Sequence, residues 1–249
     1  MASIIEDPAP AIRLNGPAGR WVLLATVLGS SMAFLDATVV NVALPTIGRQ
    51  FGASLGGLQW TVTAYTLTLA GLILLGGALG DRLGRRRVFM VGVGWFALAS
   101  ALCGLAPSIG VLIAARTLQG IGGALLTPGS LAIIQAAFAA EDRPRAVGAW
   151  SGLGGVAGAV GPLLGGWIVQ TAGWRWVFLL NLPLAVLVIA VAARHVPETS
   201  DPSAQGRFDV AGAVLAALAL AGITYALIEA TSGGGPAGPV TAAVIGLAA

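Results

Sequence analysis

The chain has no lysine, one cysteine and one histidine, and only 9% of its 249 residues are charged. Without lysine there is no Gly-x-x-x-x-Gly-Lys-Ser/Thr loop, so ATP-driven work by a loop of that kind is excluded for this chain. A lone Cys103 and a lone His195 provide neither a disulfide framework nor a metal cluster, and no cofactor is expected. The shortage of charge excludes an ordinary water-soluble domain, in which about a quarter of the residues are charged.

What fills the chain instead is apolar sequence, 57% of it from the AVILMFWYC set. A bilayer core needs roughly 20 apolar residues as helix. Seven runs of that length occur, at about 21–44, 58–79, 88–106, 109–137, 146–170, 174–193 and 209–229. An eighth begins near Pro239, and its eleven residues to Ala249 would rise only about 16 Å. The expectation is an all-α integral membrane protein whose reading frame is truncated in the eighth helix. The first run is too long for a cleavable signal, contains Asp36 and lacks a cleavage site.

All thirteen basic residues are arginine, and nearly all lie between the apolar runs. That distribution is topological and not the footprint of nucleic-acid binding. With the N-terminus on the cytoplasmic side, ten arginines fall inside (13, 20, 82, 85, 86, 87, 143, 145, 194 and 207) and two outside (49 and 175). The positive-inside rule therefore predicts a cytoplasmic N-terminus in the cell membrane. Trp21 and Trp150 then mark the inner interface, and Trp60, Trp174 and Trp176 the outer one. The domain reading is a tail at 1–20, a six-helix bundle at 21–193, a linker rich in Pro, Ser and charge at 194–208, and the seventh and truncated eighth helices at 209–249.

Two charges lie inside apolar runs, Asp36 in the first and Arg116 in the fourth. Each costs about 2.5–3.5 kcal/mol at mid-membrane on insertion scales, so each needs a partner, a wet cavity or a change of protonation. Asp36 reads as a carboxylate that either faces a cavity and exchanges protons or is locked by hydrogen bonds. Thr38 and Asn41 share a helix face and are expected to add polar lining next to it. Arg116 either pins helices, biases protonation of a nearby acid or contacts substrate, with Gln119 on its face and Gly120 and Gly123 continuing that face without side chains. In the fifth run Gly154, Gly158, Gly161 and Gly165, followed by Gly166, form a stripe for close helix packing, and Pro162 supplies a kink. Loose dinucleotide-type glycine patterns at 92–97 and 152–157 follow no strand and carry no weight.

The most informative segment is the short basic connection after the second run, Gly80-Asp81-Arg82-Leu83-Gly84-Arg85-Arg86-Arg87. Extended back to Gly77, it matches the loop motif between helices two and three of the major facilitator superfamily at every defining position. The segment around Asp36 resembles the first-helix motif of that family's fourteen-helix drug:proton antiporters. Arg116 and Gly120 match its fourth-helix motif, and Gly161-Pro162-Leu163-Leu164-Gly165-Gly166 its fifth-helix antiporter motif, with Ala157 where that motif usually starts with Gly.

The resemblance implies a family-type N-terminal six-helix bundle plus a seventh helix and a truncated eighth. It implies export of hydrophobic or amphiphilic drugs and antibiotics in exchange for protons, with no enzymatic activity. The partners are then the substrate, protons, membrane lipid and a C-terminal half of the same transporter. Proton coupling falls on Asp36 and Arg116, and a conformational latch on Gly77, Asp81, Arg82, Gly84, Arg85 and Arg86. Thr38, Asn41 and Gln119 would line the cavity, and Gly120, Gly154, Gly158, Gly161, Pro162, Gly165 and Gly166 would serve packing or the kink. A proton-coupled metabolite transporter and a non-transporting membrane sensor or scaffold of the same fold are the alternatives.

Overall fold

The structure is a computed structural model that describes residues 12–201 together with Gly212, Leu215, Ala219, Gly222 and Ile223. Those five are helical, and the rest of the runs at 209–229 and from Pro239 lies outside the described residues. The helices are α1 (Pro17–Phe51), α2 (Leu55–Leu83), α3 (Arg85–Gly104), α4 (Ile109–Ala137), α5 (Arg143–Thr171), α6 (Arg175–Leu179) and α7 (Asn181–His195). With α6 and α7 taken as one 21-residue crossing, six helices are long and apolar enough to span a membrane. A hydrocarbon core offers the backbone no water, so helices that satisfy their own hydrogen bonds are what such runs must form. Among the described residues the only strand-like pairing is one bridge between Ile12 and Phe138.

The connections are short because their residues end and start helices efficiently. Ser54 and Ser108 accept the N–H of Gly57 and Val111 and so cap α2 and α4. The basic connection is tighter than the sequence suggested: α2 continues through Leu83, Gly84 alone turns the chain, and α3 begins at Arg85. Gly84 sits at φ 106, a conformation closed to most L-residues. α1, α4 and α5 run unbroken through Pro45, Pro128 and Pro162.

α4 packs mainly on α2 and α3, and α1 on α5. The outward faces are apolar: Leu74, Leu163 and Val186 are 84%, 77% and 70% exposed, suited to lipid and costly in water. Inside, two hydrophobic clusters share the bundle. One gathers Val22 to Ala33, Phe89 to Ala97, Leu126 to Phe138 and Ala185 to Val196; the other Val39 to Ile47, Cys103, Leu112, Ala115 and Trp174 to Phe178. Between them, Asp36, Ser100, Arg116, Gln119 and Asn181 occur at matching heights on α1, α3, α4 and α7, as a buried polar layer.

Candidate functional site

The polar layer is joined by hydrogen bonds. Arg116 Nη1 donates to Asp36 Oδ2 at 2.5 Å and to Gln119 Oε1 at 2.7 Å, and Gln119 Nε2 donates to Asp36 Oδ1 at 2.8 Å. Arg116 Nε donates to the Thr61 carbonyl of α2 at 3.1 Å, and its guanidinium carbon lies 4.2 Å from the centre of the Tyr65 ring. The Asp36 and Arg116 side chains are 0% and 1% exposed. Two opposite charges withdrawn from solvent are stable as a pair when further hydrogen bonds support them, as Gln119 and the Thr61 carbonyl do here. The pair thus ties α1 to α4, while Thr61 and Tyr65 tie the same arginine to α2.

The network continues away from the charges. Gln119 Nε2 also donates to Ser100 Oγ at 3.3 Å, Asn181 Nδ2 donates to the same oxygen at 2.9 Å, and Ser100 Oγ donates to the Phe178 carbonyl at 2.9 Å. Cys103 donates its S–H to Gln119 Oε1 at 3.5 Å. Tyr65, Thr61, Ser100 and Asn181 escaped the sequence reading, which searched apolar runs for charges and for polar residues close to them in sequence. Asn181, a buried amide inside an apolar run, could have been found by the rule that singled out Asp36.

Thr38 and Asn41 do not join the network, contrary to expectation. Two and five residues beyond Asp36, they point about 200° and 140° around the helix from it. Thr38 returns its hydroxyl to the carbonyls of Phe34 and Leu35, and Asn41 donates to Ala37 at 2.8 Å. Asp36 itself faces no solvent; its carboxylate is bonded by Arg116 and Gln119.

The glycines divide by neighbour. A Cβ at Gly120 would stand 2.6 Å from the Tyr65 carbonyl, so its absence lets α4 meet α2 beside Arg116. On α5, Gly154 faces Phe34, Gly161 faces Thr38, Gly165 faces Val39 and Gly166 approaches Val42. Gly158 has open space where its side chain would be, so the stripe meets α1 at its two ends and not along its whole length. Pro162 is exposed within the continuous α5.

A second charged cluster surrounds the α2–α3 turn. Arg85 reaches Asp81 Oδ1 through Nε at 2.9 Å and Nη2 at 2.7 Å, from one side of Gly84 to the other. Arg86 turns instead to the segment after α7: its Nη1 donates to the Val196 carbonyl at 3.0 Å and its backbone N–H to Glu198 Oε1 at 3.1 Å. Glu198 Oε2 lies 3.5 Å from Arg86 Nε and 3.6 Å from Arg87 Nε. Backbone bonds from Arg85 N–H to the Thr199 carbonyl and from Asp201 N–H to the Asp81 carbonyl, both 2.8 Å, complete the docking. Residues 196–201 therefore cap the start of α3, which has no side-chain cap of its own. Sequence reasoning placed them in a solvated linker, and nothing in their composition marks Glu198. Arg82 is half-buried on the last turn of α2, and Gly77 approaches Pro128 of α4.

At the same end of the bundle the N-terminal segment holds the α4–α5 connection. Arg13 pairs with Glu141, and Leu14 N–H donates to Asp142 Oδ2 at 3.0 Å. His195 stacks on Trp21 with ring centres 4.7 Å apart.

Six apolar crossings around a buried charge layer are the build of a multi-pass membrane protein. The family model for the major facilitator superfamily matches residues 26–229, and the chain belongs to that superfamily. It is 45% identical over 208 residues to the multidrug resistance protein Stp of Mycobacterium tuberculosis, covering 83% of this chain and 38% of that protein. It is 40% identical over 243 residues to a puromycin resistance protein of Streptomyces alboniger, covering 96% and 48%. The chain thus spans less than half the length of both relatives. Among solved structures, a peptide transporter in complex with sulfate matches with a TM-score of 0.67 at 15% identity, over 90% of this chain and 48% of that one, a likeness of fold.

Proposed function

We propose that this chain forms the first six-helix half of a proton-coupled exporter of hydrophobic or amphiphilic compounds in the cytoplasmic membrane, with its N-terminus on the cytoplasmic side. The observation that carries the reading is the Asp36–Arg116 pair, buried at the level where the two hydrophobic clusters meet. A carboxylate there is stable while paired, and it becomes a carrier of protons when the bundle opens to water, because a proton taken up by Asp36 neutralises it and loosens the pair. One proton moved down about 100 mV supplies about 2.3 kcal/mol. The resistance proteins among the relatives support drugs or antibiotics as the substrate class. Their greater length supports a second half that completes the path, with the substrate between the halves. Arginines at the α2–α3 turn and the start of α5 support the orientation. Asp81 and Arg85 form the latch at that end, with Glu198 as its third charged member. Glycines 154, 161 and 165 hold α5 against α1 so that the half moves as a unit.

The test is efflux of a fluorescent lipophilic cation from vesicles holding the complete transporter under an imposed pH gradient. Wild type should respond to the gradient and Asp36→Asn should not. Gradient-driven efflux that survives Asp36→Asn would overturn the assignment.

A further inference from the structure

Both hydrogen bonds that reach the Asp36 carboxylate come from donors. Oδ2 receives Arg116 Nη1, and Oδ1 receives Gln119 Nε2. A protonated carboxyl must donate its hydrogen to an acceptor, and a guanidinium offers none. As placed, these two partners suit the carboxylate, and neither accepts a hydrogen from the acid. Of the two neighbours, only the Gln119 amide can change roles, by turning over so that Oε1 faces Asp36.

What prevents the turn lies behind the amide. Gln119 Nε2 also donates to Ser100 Oγ, and the Ser100 hydrogen is already given to the Phe178 carbonyl. Asn181 fills the second lone pair of that oxygen. With its hydrogen committed, Ser100 can only accept from Gln119, and a turned amide would set two oxygens against each other. Gln119 Oε1, on its other side, accepts from Arg116 and Cys103.

We infer that Ser100, backed by Asn181, is a positioning residue for proton exchange at Asp36: it holds the Gln119 amide with its donor toward the carboxylate, and release of that amide admits the proton. The inference rests on the proton-coupled reading. In the step, a proton from water adds to Asp36 Oδ1, the Gln119–Ser100 bond breaks, and Gln119 Oε1 accepts the new O–H. The amide NH2 then faces Arg116 Nη1, donor against donor, and the link between α1 and α4 weakens. Arg116 keeps the Thr61 carbonyl and the Tyr65 ring, so it stays with α2 as Asp36 leaves. The titratable groups facing Asp36 are Arg116 from α4, Tyr65 from α2 and Cys103 from α3. Helices α5, α6 and α7 carry theirs only in terminal turns.

The experiment is infrared difference spectroscopy of the protein in lipid nanodiscs during pH titration. The protonated carboxyl band of Asp36 is assigned by its loss in Asp36→Asn. Ser100→Ala should move the midpoint of that band to higher pH by about half a unit or more, the scale of one lost neutral hydrogen bond. In a Gln119→Leu background Ser100→Ala should produce no further shift, because its effect passes through the amide. An unmoved midpoint, or an undiminished shift in the Gln119→Leu background, would overturn the inference. The amide I band of the same spectra reports folding. If Ser100→Ala disturbs it, Ser100→Cys carries the test, because a thiol is a far weaker acceptor for the Gln119 amide, with a shift of the same sign expected and none overturning it. A wild-type spectrum without any Asp36 band would instead bring down the proton-coupled reading itself.

Discussion

Glu198 occupies the space that a side chain on Gly84 would need: a Cβ there would stand 2.6 Å from Glu198 Oε1. The glycine therefore does two things, adopting φ 106 to reverse the chain between α2 and α3 and leaving room for the carboxylate that caps α3. Gly84→Ala should combine backbone strain of about 1–3 kcal/mol with loss of the Glu198 contact. The expected outcome is protein that still reaches the membrane but transports several-fold more slowly, measured as efflux rate per inserted molecule. Glu198→Gln, which keeps the acceptor but not the charge, should give a smaller loss of the same kind. Wild-type rates in both would show that the docked segment plays no part in the cycle.

The Asp81–Arg85 pair at the same turn is a contact that one conformation can make and another release. Asp81→Ala should lower turnover much more than it lowers equilibrium affinity for substrate, because the pair lies far along the helices from the polar layer. Substrate binding measured in detergent beside efflux in vesicles separates the two effects. A large loss of affinity with intact turnover would rule out a latch.

The sequence alone made Asp36, Arg116 and the basic turn legible, since a charge inside a 20-residue apolar run has few cheap explanations. That Asp36 and Arg116 meet was not legible, because 80 residues separate them and only the packing of α1 on α4 brings them together. Thr38 and Asn41 were misplaced for a simpler reason. Their mutual spacing put them on one face, but their spacing from Asp36 puts that face elsewhere. Glu198 carried no signal at all, since its partners are a turn more than a hundred residues earlier. The crossings themselves were readable almost to their ends, with α2 and α3 extending into what looked like an eight-residue loop.

The α5 glycines offer a graded test of packing. Gly161 stands against Thr38 and Gly165 against Val39, whereas Gly158 on the same stripe meets nothing within 4 Å. Gly161→Leu should force α1 and α5 apart, with overpacking typically costing about 1–3 kcal/mol, and should lower both the melting temperature in detergent and the transport rate. Gly158→Leu should leave the melting temperature close to wild type. Equal damage from both would mean that the stripe touches α1 along its full length in the working protein.

The buried pair makes the sharpest stability prediction. Arg116→Leu removes the cation and leaves the Asp36 carboxylate buried with one bonded donor, Gln119. Breaking a buried ion pair from one side costs about 3–5 kcal/mol, because the remaining charge is uncompensated. Arg116→Leu should therefore unfold at a clearly lower temperature than wild type. Adding Asp36→Asn removes that stranded charge, and the new amide can still accept from Gln119 through its oxygen. The double variant should recover most of the lost stability while remaining unable to respond to a pH gradient. Thermal unfolding of wild type, both single variants and the double variant, read alongside gradient-driven efflux, separates the stability of the pair from its function. A double variant no more stable than Arg116→Leu would mean that Arg116 supports the bundle chiefly through Thr61 and Tyr65, and not through its charge on Asp36.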